Sequence, residues 1–75
     1  MKNKFKVGGY ARVIDPFAST KLKKAKEHNI AVFIEHIDSE GLYYHFWHDD
    51  CRYNGYGVFK RFEPINTLDE ESIEL

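Results

Sequence analysis

A single cysteine, Cys51, stands in this chain of 75 residues, so no intrachain disulfide can form. The longest uninterrupted apolar run is Ile30 to Ile34, whereas a membrane-spanning helix needs about 20 such residues. There is no charged start followed by an apolar stretch of the kind a secretory signal carries. These absences point to a reducing, cytoplasmic setting with no membrane segment. Three catalytic signatures are also missing: a glycine-rich phosphate loop, a spaced carboxylate pair and a G-x-S-x-G elbow. No cofactor is implied, and a chain this short has little room for an enclosed active site.

What is present is aromatic. Twelve Phe, Tyr and Trp residues occur, and eight of them lie between Gly41 and Phe62, in GLYYHFWHDDCRYNGYGVFKRF. Each such ring buries roughly 150 to 250 Å², which suits a chain near the lower size limit for a self-sufficient core. Two period-two segments flank a polar connection containing Asn54-Gly55, the pattern of a β-hairpin. Charge is polarised along the chain although its formal net value is −1. Residues 1–26 hold eight Lys/Arg against one acidic residue, +7, and residues 27–75 hold three against eleven, −8. The two halves either neutralise each other across the fold or offer a basic face and an acidic face.

In order, Tyr10 to Asp15 reads as a strand entered through Gly8-Gly9, with Ala11 and Val13 on one face and Tyr10, Arg12 and Ile14 on the other. Asp15-Pro16 ends it. Phe17 to Asn29 is either a long loop or a short helix capped by Ser19 or Thr20, with Leu22 and Ala25 three apart. Ile30 to Asp38 is a strand with Ile30, Val32 and Ile34 on one face and Ala31, Phe33, Glu35 and Ile37 on the other. After a turn at Ser39-Glu40-Gly41, Leu42 to His48 alternates Leu42, Tyr44 and Phe46 against Tyr43, His45 and Trp47. A connection from Asp49 to Gly55 leads to a strand from Tyr56 to Phe62, and Phe62 to Ile65 reads as a 3₁₀ turn. Residues 67–75, with four acidic side chains, form an expected flexible tail to a domain of residues 1–66.

This order resembles the SH3-like barrel family. The resemblance rests on an opening strand KVGGYARVID, a long connection, a central strand IAVFIEHID, its hairpin partner GLYYHFWH, and a closing VFKRFEPI, together residues 5–65. It implies a mainly β fold, a small barrel of four to five antiparallel strands with a long, helix-capable loop after the first and a 3₁₀ turn near the end. The chain also looks like small single-domain barrels encoded by Firmicute phages and prophages. By analogy, that implies a modulator or inhibitor of a host protein.

Four candidate chemistries follow. His36, His45, His48 and Cys51 are metal-competent, but His45 and His48 are an odd number apart on one strand and point to opposite faces. Cys51 with His48, Asp49 and Asp50 has the residue types of a thiol nucleophile without the spacing that brings base and thiol together. Neither pattern supports a metal site or catalysis. A protein partner is the preferred reading, held by Tyr43, Trp47, Asp49, Asp50, Tyr53 and Tyr56, because Trp and Tyr are the usual anchors of binding energy. The alternative is nucleic acid, held by Lys21, Lys23, Lys24 and Lys26 with exposed rings stacking on bases. Oligomeric state stays open.

Overall fold

The computed structural model describes residues 5–65; the tail expected at 67–75 lies outside them. The elements are β1 (Tyr10–Val13), α1 (Thr20–Glu27), β2 (Val32–Ile37), β3 (Gly41–His48), β4 (Cys51–Val58), a 3₁₀ turn (Phe59–Arg61) and β5 (Phe62–Pro64). The five strands form one antiparallel sheet in the order β4-β3-β2-β1-β5. The fold is mainly β, as expected. The sheet does not close into a barrel, and β4 and β5 remain its two edges.

Of the two readings for Phe17 to Asn29, the structure selects the helix. Ser19 caps it, its hydroxyl accepting from the Leu22 amide at 3.1 Å. Asn29 ends it with φ 55°, while the Ile30 amide reaches back to the Ala25 carbonyl at 2.8 Å and the Asn29 amide to Lys26 at 3.1 Å. That pair of bonds satisfies carbonyls the last turn would otherwise leave open. Two turns of helix are marginal in water, so α1 owes its persistence to burying Leu22 and Ala25 against the sheet.

The core lies between α1 and one sheet face. Ala11, Val13, Val32, Ile34, Leu42, Tyr44, Phe46 and Phe62 are buried there with the two helix residues. Alternation placed most of these correctly. Ile37 is the exception: the register shifts between Ile34 and His36, so Glu35 is an extra residue in β2. This bulge turns Ile37 towards the core side, opposite Leu42, and leaves His36 opposite Tyr43.

Two further expectations are corrected. The β3–β4 connection, expected from Asp49 to Gly55 with a strand from Tyr56, is only Asp49-Asp50, and β4 starts at Cys51: His48 pairs with Cys51, and Asp49 and Asp50 take φ 54° and 64°. A two-residue hairpin loop of this kind needs positive φ at both positions, which Asp tolerates better than most residues. The ring register rewards this choice. Phe46 stacks on Tyr53 at 5.2 Å, and Gly55 and Gly57 lie beneath the Tyr44 and Phe62 rings. The 3₁₀ turn falls at Phe59–Arg61, before rather than after Phe62. Phe62–Pro64 instead forms β5 on β1, pairing Val13 with Phe62 and Ala11 with Pro64. Proline is tolerated there because β5 is an edge strand.

Candidate binding surface

The helix covers one face of the sheet and nothing among the described residues covers the other. Strand alternation sends Tyr10 from β1, Phe33 from β2, Tyr43, His45 and Trp47 from β3, and Arg52 and Tyr56 from β4 to this outer face. Trp47 is 59% exposed, Tyr10 51%, Tyr43 43% and Tyr56 40%. The tyrosine rings are held by neighbours across a strand boundary. Tyr43 and Tyr56 sit directly opposite with ring centroids 4.8 Å apart, and Tyr10 meets Phe33 edge-on at 5.5 Å. Phe33 leans on His45 at 5.1 Å.

The bulge supplies a polar centre to this face. It aims the Glu35 carboxylate across two strands, so that Oε2 accepts from Arg52 Nη2 at 2.6 Å and meets His45 Nδ1 at 2.5 Å. Arg52 is thereby fixed opposite Trp47. Beside this cluster a shallow hollow of about 370 Å³ opens between Tyr10, Phe33, His45 and Trp47.

At the other end of the face, Asp38 organises the β2–β3 turn. Its Oδ1 accepts from the Glu40 and Gly41 amides, both at 2.8 Å, and from the Tyr56 hydroxyl at 3.1 Å. The two amide bonds, with the phenol, stabilise the carboxylate and hold its pKa below the usual 3.8. Partial burial and the bond to Asp38 push the Tyr56 phenol above its usual value. Because the Asp38 value is lowered on folding, its contribution to stability is complete above the ordinary aspartate range. That contribution is lost as pH falls through the lowered folded value. Asp38→Asn should therefore flatten the acid limb of a plot of urea midpoint against pH. A variant as acid-sensitive as the wild type would show that these bonds carry no linkage.

Of the six residues expected to hold a protein, Tyr43, Trp47 and Tyr56 share the outer face. Asp49 and Asp50 form the exposed hairpin tip next to Trp47. Tyr53 does not join them. Its odd position in β4 places it on the helix side, half-buried against Phe46 with Lys24 Nζ 5.7 Å from its ring centre. Tyr10 and Phe33 belong to the face and were not singled out from the sequence, although the alternation of β1 and β2 already put Tyr10 and Phe33 on the sides that proved to be outward. The missing signal was which side the helix would take.

The four lysines are divided rather than presented together. Lys21 donates to the Asn54 carbonyl at 2.6 Å and Lys24 sits over Tyr53, both towards β4. Lys23 and Lys26 lie exposed on the rest of the helix surface. The histidines also diverge: His45 joins Glu35 on the outer face, while His48 turns to the helix side and stacks on His28 at 4.2 Å. No group of three or more His, Cys, Asp or Glu able to hold a metal ion occurs among the described residues. Cys51 is exposed beside the hairpin tip. No helix among the described residues is long and apolar enough to cross a membrane.

Compared with known proteins, the chain matches no family model, no curated protein and no solved structure.

Proposed function

We propose that this chain is a non-catalytic protein-binding module, related to the SH3-like barrels, that holds its partner on the outer aromatic face of the sheet. One observation carries the reading: Tyr10, Tyr43, Trp47 and Tyr56, each 40–59% exposed, lie on one sheet face that nothing among the described residues covers. Rings of this type, standing in water on a rigid strand, lose little conformational freedom when a partner covers them. The element order supports the SH3-like relation: a strand, a long connection, three meandering strands, a 3₁₀ turn and a closing strand beside the first. The resemblance to phage-borne barrels makes a host protein the first partner to seek, with modulation or inhibition as the outcome. The division of the lysines weighs against the nucleic-acid alternative, since Lys21 and Lys24 turn towards β4 while Lys23 and Lys26 lie on the rest of the helix surface, so the four do not form one basic patch.

The test pairs affinity capture from a lysate of the source cell, after nuclease and at raised salt, with the same capture by Trp47→Ala. Truncating an exposed central anchor should weaken partner binding by about 2 kcal/mol, roughly thirtyfold, with the folded state retained. A partner held equally well by the folded Trp47→Ala chain would remove the aromatic face from the reading. Material lost on nuclease treatment would replace it with nucleic acid.

A further inference from the structure

We infer that the free edge of β4 is a second docking site, one that takes an acidic, extended peptide as an added strand. The pairing of β4 with β3 sets which backbone groups are available. In a two-residue hairpin the pair flanking the loop, here His48 and Cys51, exchanges both hydrogen bonds, and every second pair after it does so too. Phe59, which donates to the Glu40 carbonyl at 3.2 Å, falls on the same series. Arg52, Asn54, Tyr56 and Val58 are the other set, and their amides and carbonyls point away from β3. The position of Lys21 agrees, because its ammonium meets the Asn54 carbonyl from the open side.

This edge is long, and the opposite one is not. β4 runs for eight residues, whereas β5 has three and includes Pro64. An incoming strand therefore finds a ladder of donors and acceptors only along β4. Its side chains would meet two chemistries. Lys21 and Lys24 flank the edge from the helix, and Arg52 lies on the strand itself. Glu35 neutralises Arg52, and Asp49 and Asp50 stand exposed at the hairpin tip, whereas Lys21 and Lys24 meet only a carbonyl and a ring and keep their charge without a carboxylate partner among the described residues. The strip thus favours acidic side chains.

Further along, the edge at Tyr56 and Val58 borders a hollow of about 240 Å³ that Phe17, Leu22 and Arg61 help to line. Phe17 is set in place before any ligand arrives. It is 71% exposed with φ 52°, an unusual conformation for a bulky residue, and it is held by Asp15 Oδ1 on its amide at 3.0 Å. The Arg61 guanidinium stacks 4.3 Å from its ring centre. A peptide paired with β4 would place one apolar side chain in this hollow and carboxylates against the lysines. The site runs along the strand edge beside the aromatic face, shares Tyr56 with it and does not use Trp47.

The probe is a short synthetic peptide that carries two Glu and then one Val at every second position, with Ser between them, so that all three share one face of the added strand; it is titrated onto the full chain while amide hydrogen exchange is followed. Binding should slow exchange at Arg52, Asn54 and Tyr56, and it should weaken as salt is raised. Methylating alternate amide nitrogens of the peptide keeps every charge and removes the strand bonds, so affinity should fall by about tenfold or more. The same peptide with Lys in place of both Glu should not bind. Equal binding of the methylated peptide, protection confined to other amides, or no binding at millimolar peptide would each overturn the inference.

Discussion

Gly41→Ala should cost this chain about 3 kcal/mol or more, a large share of the roughly 4 to 11 kcal/mol expected for a domain of this length. A methyl group at Gly41 would sit 2.3 Å from the Gly57 carbonyl oxygen and 2.8 Å from both the Tyr56 hydroxyl and the Val58 Cα. Two of these three obstacles are backbone of the neighbouring strand. They cannot swing aside as a side-chain terminus would, because Gly41 pairs with Val58 and Leu42 with Gly57 in the ladder itself. The Gly41 amide is also tied to Asp38, so relieving the clash by shifting β3 would break the turn. The expected result is a urea midpoint far below wild type. Gly8→Ala is the matched control: it has open space around its Cβ but φ 90°, and should lose only about 1 kcal/mol. A Gly41→Ala chain within about 0.5 kcal/mol of wild type, the range of an ordinary surface change, would mean that β3 and β4 are not packed this closely.

Phe62→Ala carries the second large effect, an expected loss of about 3 to 5 kcal/mol. Phe62 is 4% exposed, meets Tyr44 edge-on at 5.9 Å, and lays its ring over Gly57, where an added Cβ would lie 2.8 Å from the ring. The ring and the glycine therefore act as one packing unit that joins the sheet's opposite edges, β4 and β5. Gly57→Ala alone should be destabilising, because the ring must tilt away. With Phe62 already replaced by alanine, the same methyl would enter vacated space. The double variant should accordingly be less unstable than the two single losses added together, with a coupling of about 0.5 to 3 kcal/mol. Additivity within about 0.5 kcal/mol, measured by urea unfolding of all four chains, would show that the two positions do not share this space.

These two positions also mark where local reading of the chain stops. Alternation correctly separated Ala11 and Val13 from Tyr10 and Arg12, and Leu42, Tyr44 and Phe46 from Tyr43, His45 and Trp47, because a strand's side-chain period is a property of the strand alone. The candidate cap at Ser19 and the helical spacing of Leu22 and Ala25 were legible for the same reason, although whether the segment would be helix stayed open. The hairpin turn was not legible. Asn54-Gly55 has the stronger local turn chemistry, yet the chain turns at Asp49-Asp50, where the tertiary register puts glycines under Tyr44 and Phe62.

The sequence by itself determined the mainly β character, the two-sided patterning of the long strands, the confinement of a short basic helix-capable segment to one connection, and the aromatic wealth from which a surface could be made. The tertiary structure decided the rest. It chose which side of the sheet α1 would cover, and so which aromatics became core, like Tyr44, or packed half-buried against it, like Tyr53, and which stayed in water, like Trp47. It also fixed the Glu35 bulge that inverts Ile37, and left the sheet open with β4 as a long free edge. These are outcomes of pairing between residues far apart in the chain. A residue's own neighbours encode its period and its caps, but not the ring or strand that packing will set against it.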